Sequence, residues 1–270
     1  MALASALEAV LKRDRVIVVA GLATVATLAW GYVLAGAGMG MTAFEMTAMA
    51  PATAPASAVP WSPPYALAVY LMWFIMMIAM MLPSAAPMIL LFTAIARKRQ
   101  AEPRSELSAG AFVAGYLALW GLFSAAATAA QWAFEMNRLL TPMMQSTSTL
   151  FDGLLLVAAG IYQLTPLKQA CLGRCSHPVA FIMQHWRGGT SGAFRMGAEH
   201  GLYCVGCCWF VMALLYVGGV MNLYWVAGIA TFVLVEKILP QQRWLTIAAG
   251  WALIALGAAV LARGWSFGGW

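Results

Sequence analysis

Seven stretches of this chain stay apolar for long enough to cross a bilayer, at roughly 16–37, 66–92, 109–134, 150–167, 195–217, 220–239 and 244–263. A helical span needs ~20 residues, so the fourth stretch is short and the second is long enough to tilt or kink. Short polar segments separate them, and no amphipathic 3.6-residue pattern of a water-soluble domain intervenes. The pattern predicts one integral membrane domain over residues 1–270, an all-α polytopic transmembrane helix bundle of about seven spans. The first stretch is too long for the core of a secretory signal and is read as a helix of the bundle.

Composition agrees with the pattern. The chain is 63% hydrophobic and 9% charged, with 12 Trp and a mean hydropathy of +0.81. A soluble chain of this length needs far more charge to cover its surface. The net charge of +6 follows a membrane topology and gives no sign of a nucleic-acid partner. With the N-terminus inside, the inner segments hold Lys12, Arg13, Arg15, Arg97, Lys98, Arg99, Arg104, Lys168, Arg174, Arg187, Arg195, Lys237 and Arg243. The outer segments hold Arg138 and Arg263. That asymmetry over short loops predicts a cytoplasmic N-terminus, a periplasmic C-terminus and residence in a bacterial inner membrane.

Soft ligands are concentrated on two of these stretches. Residues 199–209 read EHGLYCVGCCW. At about 100° per residue, His200, Cys204, Cys207 and Cys208, with Met196, share an arc of about 120°. Cys207 falls about 18 Å in from the inner end, near mid-membrane. Thiolate and imidazole suit Cu(I) and Zn(II), and an ionisable residue within a span is a functional candidate. Cysteine also packs well between helices as a small hydrophobe. Glu199 points about 100° away from His200 and fits an ion pair with an inner arginine as well as a metal role.

Residues 72–88, MWFIMMIAMMLPSAAPM, place Met72, Met76, Met77, Met80 and Met81 as two sulfur stripes on the second stretch. Pro83 and Pro87 remove backbone donors and are expected to kink this helix. Thioether binds Cu(I) well and Zn(II) poorly, although methionine is often simply a gap-filler. The outer segment 38–65 adds Met39, Met41, Met46 and Met49 among several prolines, as possible outer metal ligands. The inner segment 168–194 adds Cys171, Cys175 and His177, with His185 further on, as a partial metal motif. From outside to inside, the order is loop methionine, membrane methionine, membrane cysteine and histidine, then inner cysteine and histidine. Copper is the metal this order favours, with zinc second.

Catalytic signatures are missing: the chain has no P-loop, dinucleotide fingerprint or His-Glu-x-x-His motif, and three His in all. The expectation is a protein that is not an enzyme.

WFIMMIAMMLP at 73–83 with the further Pro87, YQLTPLKQACLGRC at 162–175 and EHGLYCVGCCW at 199–209 together resemble a bacterial family of metal-binding integral membrane proteins. One member of that family accompanies a tyrosinase as its copper-delivery protein. The resemblance covers about residues 65–240. It implies a metal-binding membrane protein with a copper-chaperone or copper-transfer role. Its motif falls on Trp73, Met76, Met77, Met80, Met81, Pro83, Pro87, Cys171, Cys175, His200, Cys204, Cys207, Cys208 and Trp209.

Three readings stand at this point. The first is Cu(I) binding in the membrane with transfer to a copper-accepting or copper-dependent membrane or periplasmic partner. The second is a non-catalytic structural or assembly subunit of a larger membrane complex, which the small residues at 125–130 also fit. The third is thiol–disulfide exchange through the cysteine cluster.

Overall fold

The computed structural model describes residues 2–38, 40–48, 60–99, 105–141, 144–239 and 242–267. Among these residues every regular element is a helix, with one isolated bridge between Leu140 and Ser146. The long helices are α1 (Ala2–Leu34), α3 (Pro63–Arg99), α4 (Ser105–Met136), α8 (Gly189–Ala213) and α11 (Gln242–Phe267). Shorter ones connect or pack on them: α2 (Ala43–Ala48), α5 (Thr149–Leu164), α6 (Pro166–Ser176), α7 (Pro178–His185), α9 (Leu215–Gly218) and α10 (Leu223–Ile238). The expected all-α bundle is what forms.

Five helical stretches are long and apolar enough to cross a membrane: Val16–Leu34, Pro63–Arg97, Leu107–Met136, Gly189–Gly218 and Arg243–Arg263. The stretch expected at 150–167 is half of a broken pair, in which α5 and α6 meet at a 65° bend. The break is local chemistry. Thr165 is extended, caps α6 by accepting from the Lys168 N–H, and is followed by Pro166 at the first helical position, where a missing N–H costs nothing. The stretch expected at 220–239 becomes α10, whose 16 residues cover about 24 Å, less than a bilayer core. The segment expected as an inner loop at 168–194 is largely helical instead. Its helices α6 and α7 bury Lys168, Leu172, Cys175, Phe181 and Ile182. Between α1 and α3, Thr42 and Glu45 close a reciprocal capping box at the start of α2, with Glu45 Oε2 2.7 Å from the Thr42 N–H and the Glu45 N–H 3.2 Å from the Thr42 hydroxyl. Those bonds hold the exposed Glu45 carboxyl below its ordinary range.

Helix α3 runs unbroken through Pro83 and Pro87 and forms the axis of the core. It runs antiparallel to the α8–α9 segment: Trp73 lies against Tyr216 of α9, ring centroids 5.3 Å apart at a 48° tilt, and eight residues further along α3, Met81 reaches Cys208 on α8, eight residues earlier in the chain than Tyr216. Its contact with α4 is polar near the N-terminal end of α3. The Trp73 indole donates to Gln131 Oε1 at 2.8 Å, Gln131 donates to Glu135 at 2.9 Å, and Glu135 also accepts from the Trp61 indole at 2.8 Å. Trp73 and Gln131 are both fully buried. Replacing Trp73 by Phe keeps an aromatic ring of smaller size but removes the indole N–H and strands the Gln131 carbonyl, so thermal unfolding in detergent should show a loss of at least about 1–3 kcal/mol.

Two close helix pairs set the spacing of everything else. In α4 and α8, which run parallel, a Cβ on Gly197 would lie 1.9 Å from the Phe112 carbonyl oxygen, and one on Gly115 would lie 2.0 Å from that of Phe194. The backbones touch because these residues have no side chain. In the antiparallel pair α5 and α11, Gly153 faces Gly257 and Gly160 faces Gly250.

Candidate metal centre

All of Met72, Met76, Met77, Met80 and Met81 on α3 are buried, as are His200, Cys204, Cys207 and Cys208 on α8, and all except His200 belong to one apolar core cluster. The methionine and cysteine faces meet at Met81 and Cys208. Cys208 Sγ lies 4.0 Å from Met81 Sδ. The other four α3 methionines lie at other levels of the same core.

Cys204 is the most heavily bonded of the thiols. Its Sγ lies 2.9 Å from Lys237 Nζ on α10 and 3.1 Å from the Tyr116 hydroxyl on α4. Tyr116 also donates to the Met81 carbonyl at 3.2 Å, which already accepts from Ser84 Oγ at 2.8 Å. Lys237 Nζ donates to Ser84 Oγ at 3.0 Å. One turn on, Cys207 Sγ and Cys208 Sγ both turn back to the Cys204 carbonyl, at 3.1 and 3.0 Å. Cys175 comes in from α6, is buried in the same core cluster, and interacts electrostatically with Cys204 and Cys207. Four thiols, one thioether, one ammonium and one phenol therefore share a dry site between α3, α4, α6, α8 and α10.

His200 sits one turn from Cys204, enclosed by aromatic rings: Tyr116 at 5.7 Å, Phe181 at 5.5 Å and Phe112 at 6.2 Å. Its Nδ1 is buried with no hydrogen-bond partner. Such a group costs about 1–3 kcal/mol unless something binds it, and a soft metal ion fits that need. Among the described residues, no three His, Cys, Asp or Glu side chains stand ready to hold an ion. The hydrogen bonds explain this. Cys207 and Cys208 are turned onto a carbonyl, while Cys204 is held by Lys237 and Tyr116, so ligation requires side-chain rotations within the cluster.

The candidates outside the membrane stretches divide. Cys175 joins the central cluster. Cys171 Sγ packs where a Cβ on Gly206 would sit, at 3.0 Å. His177 is exposed, with its Nδ1 3.0 Å from the Gly173 carbonyl, and together with His185 it lines a cavity of about 340 Å³. The three inner residues Cys171, Cys175 and His177 thus point to three different places. Glu199 pairs with Arg187 at 2.7 Å, the ion-pair alternative of the two. Met41 and Met46 are partly buried near α2; Met39 and Met49 lie outside the described residues.

Lys237, Tyr116 and Ser84 are site residues that sequence reasoning missed. Lys237 counts in the sequence as one more inner-side positive charge. The signal that marks it is its place next to Glu236 at the end of an apolar run, where ionisable residues are expensive and generally have a partner. Glu236 accounts for itself elsewhere. It forms a buried ion pair with Lys168 at 2.7 Å and accepts from Thr246 at 2.8 Å, and Lys168 also donates to Gln163.

A helical bundle with stretches long and apolar enough to cross a membrane holds a buried cluster of thiols and a thioether, the donor types that soft metal ions prefer. Residues 70–260 match the model of the PpoB2 family, described as copper chaperones, and the chain belongs to that family. No curated protein and no solved structure matches it. Copper transfer is thus the business of this fold, and a chaperone role is non-catalytic in kind.

Proposed function

We propose that the protein is a membrane-embedded Cu(I) carrier of the bacterial inner membrane, passing copper to a copper-dependent membrane or periplasmic protein. The observation that carries this reading is the 4.0 Å contact between Met81 Sδ and Cys208 Sγ, which joins a thioether helix to a thiol–imidazole helix. Cu(I) is the ion that accepts both ligand types, whereas Zn(II) takes thioether poorly. The primary ligands are drawn from Cys204, Cys207, Cys208 and His200, with Met81 and Cys175 at hand. Met72, Met76, Met77 and Met80 lead outward along α3, toward the end where Met41 and Met46 lie. Cys171 and His177 lie on the cytoplasmic side, in the orientation the Lys and Arg distribution supports. With no nucleotide motif in the chain, transfer runs downhill by ligand exchange between neighbouring soft sites.

The test is elemental analysis of protein purified in detergent under reducing conditions and loaded with Cu(I). Wild type is expected to hold copper near stoichiometrically, and the Cys204/Cys207/Cys208→Ser variant to lose at least nine-tenths of it. Zinc in place of copper would move the assignment to a structural site. No metal in wild type would favour the reading as a subunit of a larger complex.

A further inference from the structure

Among the described residues no carboxylate pairs with Lys237, although one is its chain neighbour. Glu236 is committed on the other side of α10, to Lys168 at 2.7 Å and Thr246 at 2.8 Å. The Lys237 ammonium faces the sulfur cluster instead, 2.9 Å from Cys204 Sγ and 3.0 Å from Ser84 Oγ. Both Lys237 and Cys204 are buried. A buried charge persists when it is paired, and the partner here is the sulfur of a metal ligand. The sulfur cluster to which copper is assigned is thus furnished in advance with one buried ammonium.

We propose that Lys237 sets the charge selectivity of the site, admitting a monovalent soft ion and disfavouring divalent ones. This rests on the assignment of copper to the Cys204 cluster. The repulsion between a fixed ammonium and a metal ion bound beside it scales with the charge of the ion, and burial away from water sustains it. Two thiolates, one ammonium and one Cu(I) ion sum to zero, so the filled site needs no further counter-charge. A divalent ion on the same ligands leaves a net positive charge in a dry interior, or must recruit another desolvated thiolate. Softness alone does not make this distinction, since thiolate sulfur also binds Zn(II) tightly. Lys237 supplies the second criterion. Tyr116 and Ser84 keep it in place by holding the two atoms it bonds, Cys204 Sγ and Ser84 Oγ, against the Met81 carbonyl.

The experiment uses full-length protein in detergent and two thiophilic probes that differ in charge, Ag(I) and Cd(II), each competed against Cu(I). Wild type is expected to take Ag(I) in place of copper and to bind Cd(II) at least about tenfold more weakly. Lys237→Met should raise Cd(II) binding relative to Ag(I) by about tenfold or more, while Lys237→Arg, which keeps the charge, should hold the wild-type ratio. Lys237→Gln gives the same readout with a hydrogen-bond donor retained, should the Met variant fail to fold. An unchanged ratio in the neutral variants, or Cd(II) within tenfold of Ag(I) in wild type, overturns the proposal. Copper missing from wild type, or retained in the triple Ser variant, overturns the copper site itself and is read before the Cd(II) arm.

Discussion

Gly197→Ala is expected to cost the protein its copper site and most of its stability, although it adds a single methyl group. The added Cβ would stand 1.9 Å from the Phe112 carbonyl oxygen, a separation that only a shift of α4 against α8 can relieve. Neither partner is a flexible side chain, so the whole contact must open. Gly115, on the facing side, meets the Phe194 carbonyl at 2.0 Å and should behave alike. Overpacking costs about 1–3 kcal/mol where side chains can yield, and more where backbone must move. The same displacement carries Tyr116 on α4 away from Cys204 on α8, now 3.1 Å apart. Thermal unfolding in detergent and copper content should therefore fall together. Gly110→Ala, on α4 with nothing within 4 Å of its Cβ, is the control. It should be neutral or gain up to about 1 kcal/mol of helix propensity.

That contact shows which part of the architecture could be read in advance. Hydropathy reads about seven apolar stretches, of which five form helices long and apolar enough to cross a membrane, because a lipid-facing helix must be apolar along ~20 residues whatever it packs against. The helical spacing of His200, Cys204, Cys207 and Cys208 also reads directly, because a helix places residues three and four apart on one face. Neighbours across helices do not read this way. That Met81, rather than Met76, meets the thiols depends on the axial offset of α3 against α8, which no single-helix projection contains. The α5–α6 bend had a local sign, Thr165 before Pro166, but the path of the chain beyond Pro166 had none. Residues 168–185 carry Lys168, Arg174, His177 and His185 and read as a solvated loop. They are drawn into the core because Glu236, far along the chain, answers Lys168 at 2.7 Å. Cys175 reaches the sulfur cluster as part of that folding back.

Glu236→Gln is expected to destabilise the protein by about 3–5 kcal/mol, since it leaves the Lys168 ammonium buried without its counter-charge. The two groups are almost completely shielded, and both carboxylate oxygens approach Lys168 Nζ, at 2.7 and 2.8 Å. The same carboxylate accepts from Thr246 on α11 at 2.8 Å, so one side chain ties α10 to α6 and to α11. Gln keeps the shape and removes the charge, which separates electrostatics from packing. Replacing both partners, Lys168→Leu with Glu236→Leu, removes the uncompensated charge as well as the pair. Unfolding by heat or denaturant in detergent should show the double variant recovering most of the loss, as apolar replacements of buried pairs often do. A double variant as unstable as Glu236→Gln would mean that the pair matters through the orientation it imposes on α6 and α10. Copper content decides between these accounts at the site, because α6 carries Cys175 and α10 carries Lys237. If the pair serves only stability, the folded double variant binds copper as wild type does. If it places Lys237 and Cys175 against Cys204, the double variant folds and binds copper poorly.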